Sequence, residues 1–260
     1  MHLIRPLTAA LALHFLVACA DSEDPAPVPV ELPDTKQALD LTDVAANPEQ
    51  TQYEWMDFRP NVKKLFLAGD ATSEHIAVLW YTVEDGAVGL HYHAKTESVY
   101  VIDGTQTDMK GEYETATVYF NPPGSGHQIS DSSGFFLLAY AAPPDFMSTD
   151  LIGEYEPIRI ETDDPDLTST YTFDEEQSGV TAFSPPLDES GGMTAKFIET
   201  TSSSPYTFDG NYVLVVKGKC LIDGVNFGED ELVVGKNVDV LPYTVAAPSG
   251  STCLALGVSF

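Results

Sequence analysis

Basic residues are scarce in this sequence. The 260 residues include 12 lysines and arginines against 40 aspartates and glutamates, which gives a formal net charge of −28. Such an acidic surface repels nucleic acid and anionic lipid headgroups. The composition therefore predicts that nucleic acid is not a partner. It also predicts that an anionic substrate binds only beside a local positive charge, such as a metal ion.

Cysteine is scarce as well, with Cys19, Cys220 and Cys253 alone. No CxxC pair is present, so the cysteines do not predict a zinc ribbon. In an oxidising compartment Cys220 and Cys253 could form one disulfide. They could equally be two separate small buried residues, and the sequence leaves both alternatives open.

Long hydrophobic runs are missing apart from one near the amino terminus. There, Arg5 precedes an apolar run over residues 7–18 that is too short to span a bilayer, since a spanning helix needs about 20 apolar residues. Residues 1–18 are therefore predicted to be a secretory signal peptide. The run ends in LVAC, which resembles the lipobox of bacterial lipoproteins, and the resemblance implies that cleavage leaves Cys19 acylated. The alternative is an ordinary signal peptide followed by an incidental cysteine.

Export and anchoring follow from this resemblance. We expect a membrane-anchored lipoprotein on the periplasmic or cell-surface side, held by its N-terminal lipid. Residues 19–50 are rich in proline, alanine and acid, which predicts a flexible tether. Residues 51–260 are long enough for one large or two small domains.

Helical periodicity is lacking in residues 51–260, where no stretch of 12 residues keeps a 3.6-residue apolar period. Strand-like runs rich in valine, tyrosine, phenylalanine, isoleucine and threonine dominate instead. The predicted strands are 75–83, 98–104, 116–121, 134–142, 152–162, 193–200, 211–222, 230–235, 238–241 and 252–260. Short strands with frequent turn signals predict an all-β fold of the jelly-roll type.

A weak internal repeat divides the strands into two sets. ESVYVIDGTQTD parallels NYVLVVKGKCLID, and HIAVLWYT parallels MTAKFIET. We therefore predict two copies of one β-fold, over 51–147 and 148–260. The connection near 143–192 is acidic and proline-rich and is expected to be a long surface excursion with one strand of its own.

Histidine is the last scarce residue type, and its placement is informative. Residues 86–104 read GAVGLHYHAKTESVYVIDG, with His91 and His93 two apart. Residues i and i+2 of a strand face the same way, and Glu97 shares their parity if the chain stays extended. Two imidazoles and a carboxylate on one face suit a first-row transition metal. His127, just past a proline-glycine turn, is the candidate fourth ligand, whereas His75 has no motif around it and is expected to be structural.

These residues resemble the two sequence motifs of the cupin superfamily. The first motif, G(x)5HxH(x)3,4E(x)6G, is matched with one residue fewer after its leading glycine by Gly86, His91, His93, Glu97 and Gly104. The second, G(x)5PxG(x)2H(x)3N, is matched by Pro122, Gly124 and His127, with Ala116 and Asp131 at its first and last positions. The amino-acid sequences of residues 55–70 and 109–135 most resemble those of ChrR-type cupins.

The resemblance implies two double-stranded β-helix barrels, the first holding a metal through His91, His93, Glu97 and His127. In the second, Pro205, Thr207 and Asn211 fall at the places of the first three ligands, and residues 144–260 contain no histidine. The second barrel is therefore expected to be degenerate and metal-free. Cupins are often dimers, so the resemblance also implies a homodimer.

Two functions are compatible with such a site. The first is a metal-dependent dioxygenase that acts on a small dicarbonyl or enol-type substrate. Fe is the expected metal, and Mn, Ni and Zn are the alternatives. No separate general base is evident, so the catalytic residues stay unassigned beyond Glu97, which could act as base by detaching from the metal. The second is a non-catalytic, ChrR-like metal- or ligand-binding sensor. No phosphate loop or nucleophile elbow suggests a competing chemistry.

Overall fold

The computed structural model describes residues 31–260. The predicted signal peptide and the predicted lipidation site at Cys19 lie outside these residues. Within them, no helix is long and apolar enough to cross a membrane.

Antiparallel strands are the dominant element of the described chain and make up 55% of it. Its first part comprises β1 (Lys36–Asp40), α1 (Leu41–Ala46), β2 (Met56–Arg59), β3 (Val62–Gly69), β4 (His75–Tyr92), β5 (Glu97–Asp108), β6 (Gly111–Glu114), β7 (Thr117–Asn121), β8 (Gly126–Tyr140) and β9 (Ile158–Glu161). Its second part comprises α2 (Leu167–Thr170), β10 (Asp174–Gln177), β11 (Val180–Phe183), β12 (Thr194–Thr200), β13 (Tyr206–Gly210), β14 (Tyr212–Gly218), β15 (Cys220–Ile222), β16 (Val225–Phe227), β17 (Glu231–Gly235), β18 (Leu241–Ala246) and β19 (Cys253–Ser259).

The first barrel is one eight-stranded sheet. Its order is β2-β3-β4-β8-β5-β7-β9, and β6 extends β5. Strands β4, β5 and β8 are long, and register irregularities interrupt their pairing, as between Val88 and His91. Such bulges bend strands, so that one strand can contribute to both layers of a jelly roll.

Two apolar cores lie on the two faces of this sheet. On β8, Phe136 and Leu138 point into the first barrel, whereas Leu137 and Ala139 point towards the second barrel and join Leu214 and Leu256 in a shared core. Because both faces of β8 are buried over residues 135–140, its sequence there, FFLLAY, is continuously apolar instead of alternating.

The second barrel has two sheets. The larger has the order β1-β17-β14-β19-β12-β11-β10, and the smaller has the order β13-β18-β15-β16. Apolar side chains fill the space between them. Cys220 of β15 and Cys253 of β19 are joined by a disulfide, which decides between the two alternatives that the sequence leaves open. The prediction of an all-β protein with two jelly-roll barrels is confirmed.

Part of the predicted tether is folded. Strand β1 pairs with β17 of the second barrel, and α1 follows it with Leu41 and Val44 fully buried. Lys36 Nζ donates a 2.6 Å hydrogen bond to Asp223 and lies 3.9 Å from the centre of the Tyr243 ring. These long-range contacts order residues 36–46, although their sequence is too short and too mixed in polarity to predict a strand. The expectation of a flexible tether is therefore wrong for these residues.

The expected boundary at 147/148 also needs correction. Strand β9 pairs with β7 of the first barrel, and within this pair Ile160 is buried directly opposite Val118. The first barrel therefore extends beyond residue 147. The connection expected to hold one strand holds β9 and the β10–β11 hairpin, which extends the larger sheet of the second barrel. The strand predicted at 238–241 is a bend, and β18 begins at Leu241.

Candidate metal centre

Four predicted ligands converge inside the first barrel. His91 lies near the end of β4 and His93 just after it, Glu97 begins β5, and His127 lies near the start of β8. One nitrogen or carboxylate oxygen from each side chain lies within 4.8 Å of the corresponding atoms of the others, and all four residues are buried. The structure thus brings together the whole set that the motifs indicate.

Local backbone geometry explains the close approach. His91 and His127 are direct cross-strand partners. A Cβ atom at Gly126 would come within 2.5 Å of the carbonyl oxygen of His91, so a larger residue would push β8 away from β4. At the far end of the motif, Gly104 adopts a left-handed φ of 93°, and a Cβ there would meet the backbone of Ser133 at 2.2 Å. Both glycines are therefore steric requirements of the site.

The four side chains are already grouped around one point. Glu97 Oε2 lies 3.4 Å from His93 Nε2 and 3.5 Å from His127 Nε2. The centre of the His91 ring lies 4.9 Å from that of the His93 ring and 4.7 Å from that of the His127 ring. Nothing in the backbone has to move far for these atoms to share one ion.

Hydrogen bonds behind the ligands orient two of the imidazoles. His91 Nδ1 donates to the Gly89 carbonyl oxygen at 2.9 Å, and His127 Nδ1 donates to Asp108 Oδ2 at 2.8 Å. In both rings the second nitrogen is left unprotonated, which is the tautomer that binds a metal. Asn121 Nδ2 donates to Glu97 Oε2 at 2.7 Å and fixes that carboxylate.

His93 gives the test of fit for a metal. Neither of its ring nitrogens has a hydrogen-bond partner, although the side chain is only 1% exposed. Buried polar atoms are nearly always satisfied, and an orphaned pair needs an explanation. A metal bound at Nε2 satisfies that atom, and three imidazoles with one carboxylate are a ligand set typical of divalent first-row metals. The residues present therefore fit a metal ion.

Electrostatics hold the site in its metal-binding form. Burial, followed by the charges of neighbouring histidines, lowers the pKa of His91 to about 3, and burial lowers the pKa of His93 to about 4. Burial alone would raise the pKa of Glu97, but His93, His127 and His91 outweigh it and lower this pKa to about 2. At neutral pH His91 and His93 are therefore neutral and Glu97 is ionised, as coordination requires.

A small cavity of about 20 Å³ adjoins these ligands. Its walls are mainly apolar, and Tyr81 and Gln106 add one hydroxyl and one amide oxygen that have no hydrogen-bond partner. The Phe146 ring covers the cavity, with its centre 5.1 Å from that of His91. A space of this size holds about one water molecule.

The second barrel lacks an equivalent arrangement. Asn211 holds the carboxy-terminal segment by donating to Val238 O and accepting from Phe260 N, and Thr207 is exposed. Within residues 31–260, one group of potential metal ligands is found, and it is the group in the first barrel.

The sequence analysis did not identify Asp108, Asn121 or Tyr140, which contact the ligands from behind. Asp108 hydrogen-bonds His127, Asn121 hydrogen-bonds Glu97, and the Tyr140 ring stacks on that of His93. Their neighbours in the sequence carry no signal for these contacts, since each depends on strand register.

A jelly-roll barrel with three histidines and a glutamate in its interior defines the class of metal-binding cupins. Residues 44–143 match the family model described as the ChrR cupin-like domain. This part of the chain is therefore a ChrR-like cupin domain. The comparison with curated proteins finds no match.

Solved structures resemble the chain as a whole. A candidate dioxygenase from Nostoc punctiforme is 11% identical, with 88% of this chain and 84% of that chain covered and a TM-score of 0.56. A candidate glyoxylate-induced protein from Pseudomonas aeruginosa is also 11% identical, with 91% and 92% covered and a TM-score of 0.50. A mutant oxalate decarboxylase from Bacillus subtilis is 11% identical, with 88% and 78% covered and a TM-score of 0.48. Similarity at this level of identity shows the fold, and function has to be argued from the site.

Proposed function

We propose that this protein is a metal-dependent cupin oxygenase that acts on a small dicarbonyl or enol-type substrate. The observation that supports it is the convergence of four buried ligand atoms within 4.8 Å, beside a small and mainly apolar cavity. When bound, a divalent metal supplies a Lewis acid that polarises a substrate oxygen and a centre that takes up dioxygen. Iron is the proposed metal, with manganese, nickel or zinc as alternatives.

The residues of the chain have distinct roles in this proposal. His91, His93, Glu97 and His127 hold the metal, and their single negative charge leaves a divalent ion with a net charge of +1. That local charge attracts an enolate despite the acidic surface. Apolar walls exclude water from the reacting atoms. The unpaired Tyr81 hydroxyl is available to donate to a substrate oxygen, and the unpaired Gln106 amide oxygen is available to accept from a substrate hydroxyl.

Glu97 is better suited to be a ligand than a base. Its pKa is lowered to about 2, and a carboxylate of such low basicity takes up a proton poorly near neutral pH. Asn121 also occupies one of its oxygens. A substrate with an acidic enol would need no strong base, because a bound divalent metal would supply a positive charge that lowers the pKa of the enol.

We further propose that the protein is exported and anchored by lipid at Cys19, with a small molecule as its ligand. The basis is the sequence of residues 1–19, which lies outside the described structure. A homodimer, suggested by resemblance to other cupins, remains a prediction. The excess of acidic residues supports the expectation that nucleic acid is not a partner.

The proposal is tested by metal analysis and oxygen uptake. The purified protein is analysed for bound metal, loaded anaerobically with Fe(II), and assayed against a panel of small diketones and enols. The H91A/H93A variant should lose both metal and oxygen uptake. T207A, which alters the residue at the corresponding place of the second barrel, should keep both. Full occupancy by zinc with no turnover after iron loading, or metal retention by H91A/H93A, would contradict the proposal.

A non-catalytic metal-binding or sensor role is the second candidate, and the size of the cavity favours it. A volume of about 20 Å³ admits a water molecule but not a dicarbonyl compound. Catalysis therefore requires Phe146 to move, whereas metal binding does not. Tight metal binding without oxygen uptake for any substrate, even in a variant with Phe146 removed, would support this role instead.

A further inference from the structure

An isolated lysine is buried inside the first barrel. Lys64, on β3, is only 2% exposed, and its Nζ atom lies 3.2 Å from His75 Nε2. His75 Nδ1 donates to the Ser73 carbonyl oxygen at 2.8 Å, so Nε2 carries the lone pair that accepts from Lys64. The ammonium group also faces the rings of Phe58 and Tyr140, at 4.4 and 5.0 Å.

No carboxylate of the described chain forms an ion pair with Lys64. A buried ammonium group without an ionic partner is costly, and aromatic faces compensate only in part. Burial lowers its pKa to about 8, while Glu97 raises this pKa and Arg59 lowers it. The group therefore stays mostly protonated at neutral pH, and Glu97 is the anion whose charge it feels.

Strand register connects this lysine with the metal centre. Tyr140 on β8 lies opposite His75 on one side and opposite Glu97 on the other, and Glu97 in turn lies opposite Asn121. These four side chains form one row across the interior of the barrel. The Tyr140 ring stacks 6.0 Å from that of His93 and lies directly opposite Glu97 across the paired strands. Lys64 therefore lies one side chain behind a predicted ligand.

We propose that Lys64 is a positioning residue for the metal centre: a fixed cation, held by His75 behind Tyr140 and Glu97, that favours the divalent over the trivalent state of a bound redox metal. This inference rests on the proposed function in that it needs a metal at the site. Lys64 touches neither the metal nor the substrate.

The charge of the lysine accounts for this preference. Lys64 is buried and lies 5.0 Å from the centre of the Tyr140 ring, so little solvent screens its charge from the metal centre. That charge repels a trivalent ion more than a divalent ion across a poorly screened interior.

The test measures the one-electron midpoint potential of the iron-loaded protein at neutral pH. In this titration one electron is exchanged between the iron and a chemical mediator, and no bond is made or broken. Lys64→Met removes the charge and keeps the length of the side chain. The control is Lys63→Met, because Lys63 lies on the outer face of β3 over the Trp80 ring. In K64M we expect the equilibrium to shift towards Fe(III) on the order of tenfold, with K63M unchanged.

Each outcome has a defined meaning. A lower potential in K64M alone supports the inference, whatever happens to the melting temperature. An unchanged or higher potential in a folded K64M protein overturns it, because a merely structural lysine alters stability without altering the potential. K64Q, which is neutral and can still bond to His75, takes the place of K64M if that variant does not fold. If the wild-type protein binds no metal, both this inference and the proposed function fail, whereas iron binding with an unaltered potential rejects this inference alone.

Discussion

Asp108 Oδ2 accepts a 2.8 Å hydrogen bond from His127 Nδ1, and both side chains are buried in the first barrel. The contact joins the end of β5 to the start of β8 and fixes both the orientation and the tautomer of the imidazole. A hydrogen-bond partner of this kind commonly raises the affinity for the metal by roughly 10- to 100-fold. Without it, the ligand would have to be ordered when the metal binds.

Replacing Asp108 by Asn should therefore weaken metal binding by roughly tenfold or more. The asparagine keeps an oxygen for the backbone amides of Lys110 and Gly111, which Asp108 Oδ1 accepts from, so the turn is preserved. The measurement is a competitive titration of Co(II) or Zn(II) against a chelator. D103N, on the exposed side of the same strand, is the control. Equal affinities for D108N and D103N would show that the contact does not support a ligand.

The ligands themselves could be predicted from the sequence, whereas their supports could not. His91, His93 and Glu97 lie within seven residues, and strand parity puts His91 and His93 on one face. Parity does not account for Glu97, because a bend at residues 94–95 separates β4 from β5, so its place depended on the resemblance to the cupin motif. Asp108 meets His127 only because β5 and β8 pair with register irregularities that no local pattern encodes. The same holds for β1, where Lys36 is held by Asp223, 187 residues away.

The pH dependence of stability should reveal the buried histidines. In the unfolded chain histidine has a pKa of about 6.5, whereas folding lowers the pKa of His91 to about 3 and that of His93 to about 4. Between these values the unfolded chain binds more protons, so acid favours unfolding. The metal-free protein should therefore lose stability progressively as the pH falls from about 6.5 towards 4.

Urea unfolding of the chelator-treated protein at a series of pH values measures this effect. The H91Q/H93Q variant lacks both titrating groups and should show a shallower dependence over the same range. Glu97, with a pKa lowered to about 2, adds a loss of the same sign below its ordinary value of 4.5. Parallel curves for the variant and the wild type above pH 5 would mean that the histidines are not buried in neutral form.

The disulfide should stabilise the second barrel without affecting the metal. Cys220 and Cys253 are 33 residues apart, and closing a loop of this size contributes about 3–4 kcal/mol in the chain-entropy model. C220A/C253A should unfold at lower urea concentration and keep the metal content of the wild type under native conditions. A loss of metal from the folded variant would show that the second barrel contributes to the site directly.

Phe146 should control access to the metal. Its ring covers His91, and the Arg59 guanidinium packs on it at 4.1 Å. The segment is tied down by two backbone hydrogen bonds of 2.8 and 2.9 Å between Tyr92 and Asp145. Because these bonds do not involve the ring, Phe146→Ala should open the cavity and leave the segment in place.

The expected result for F146A is faster removal of metal by a bulky chelator, by about tenfold, because the barrier to reaching the metal is about 1.4 kcal/mol lower without the phenyl ring. The affinity at equilibrium should change much less, since no ligand is altered. M147A is the matched control, as Met147 is 87% exposed and follows in the chain. Stopped-flow chelation measures both variants. Equal rates for F146A and M147A would show that the metal escapes by a route that the phenyl ring does not cover.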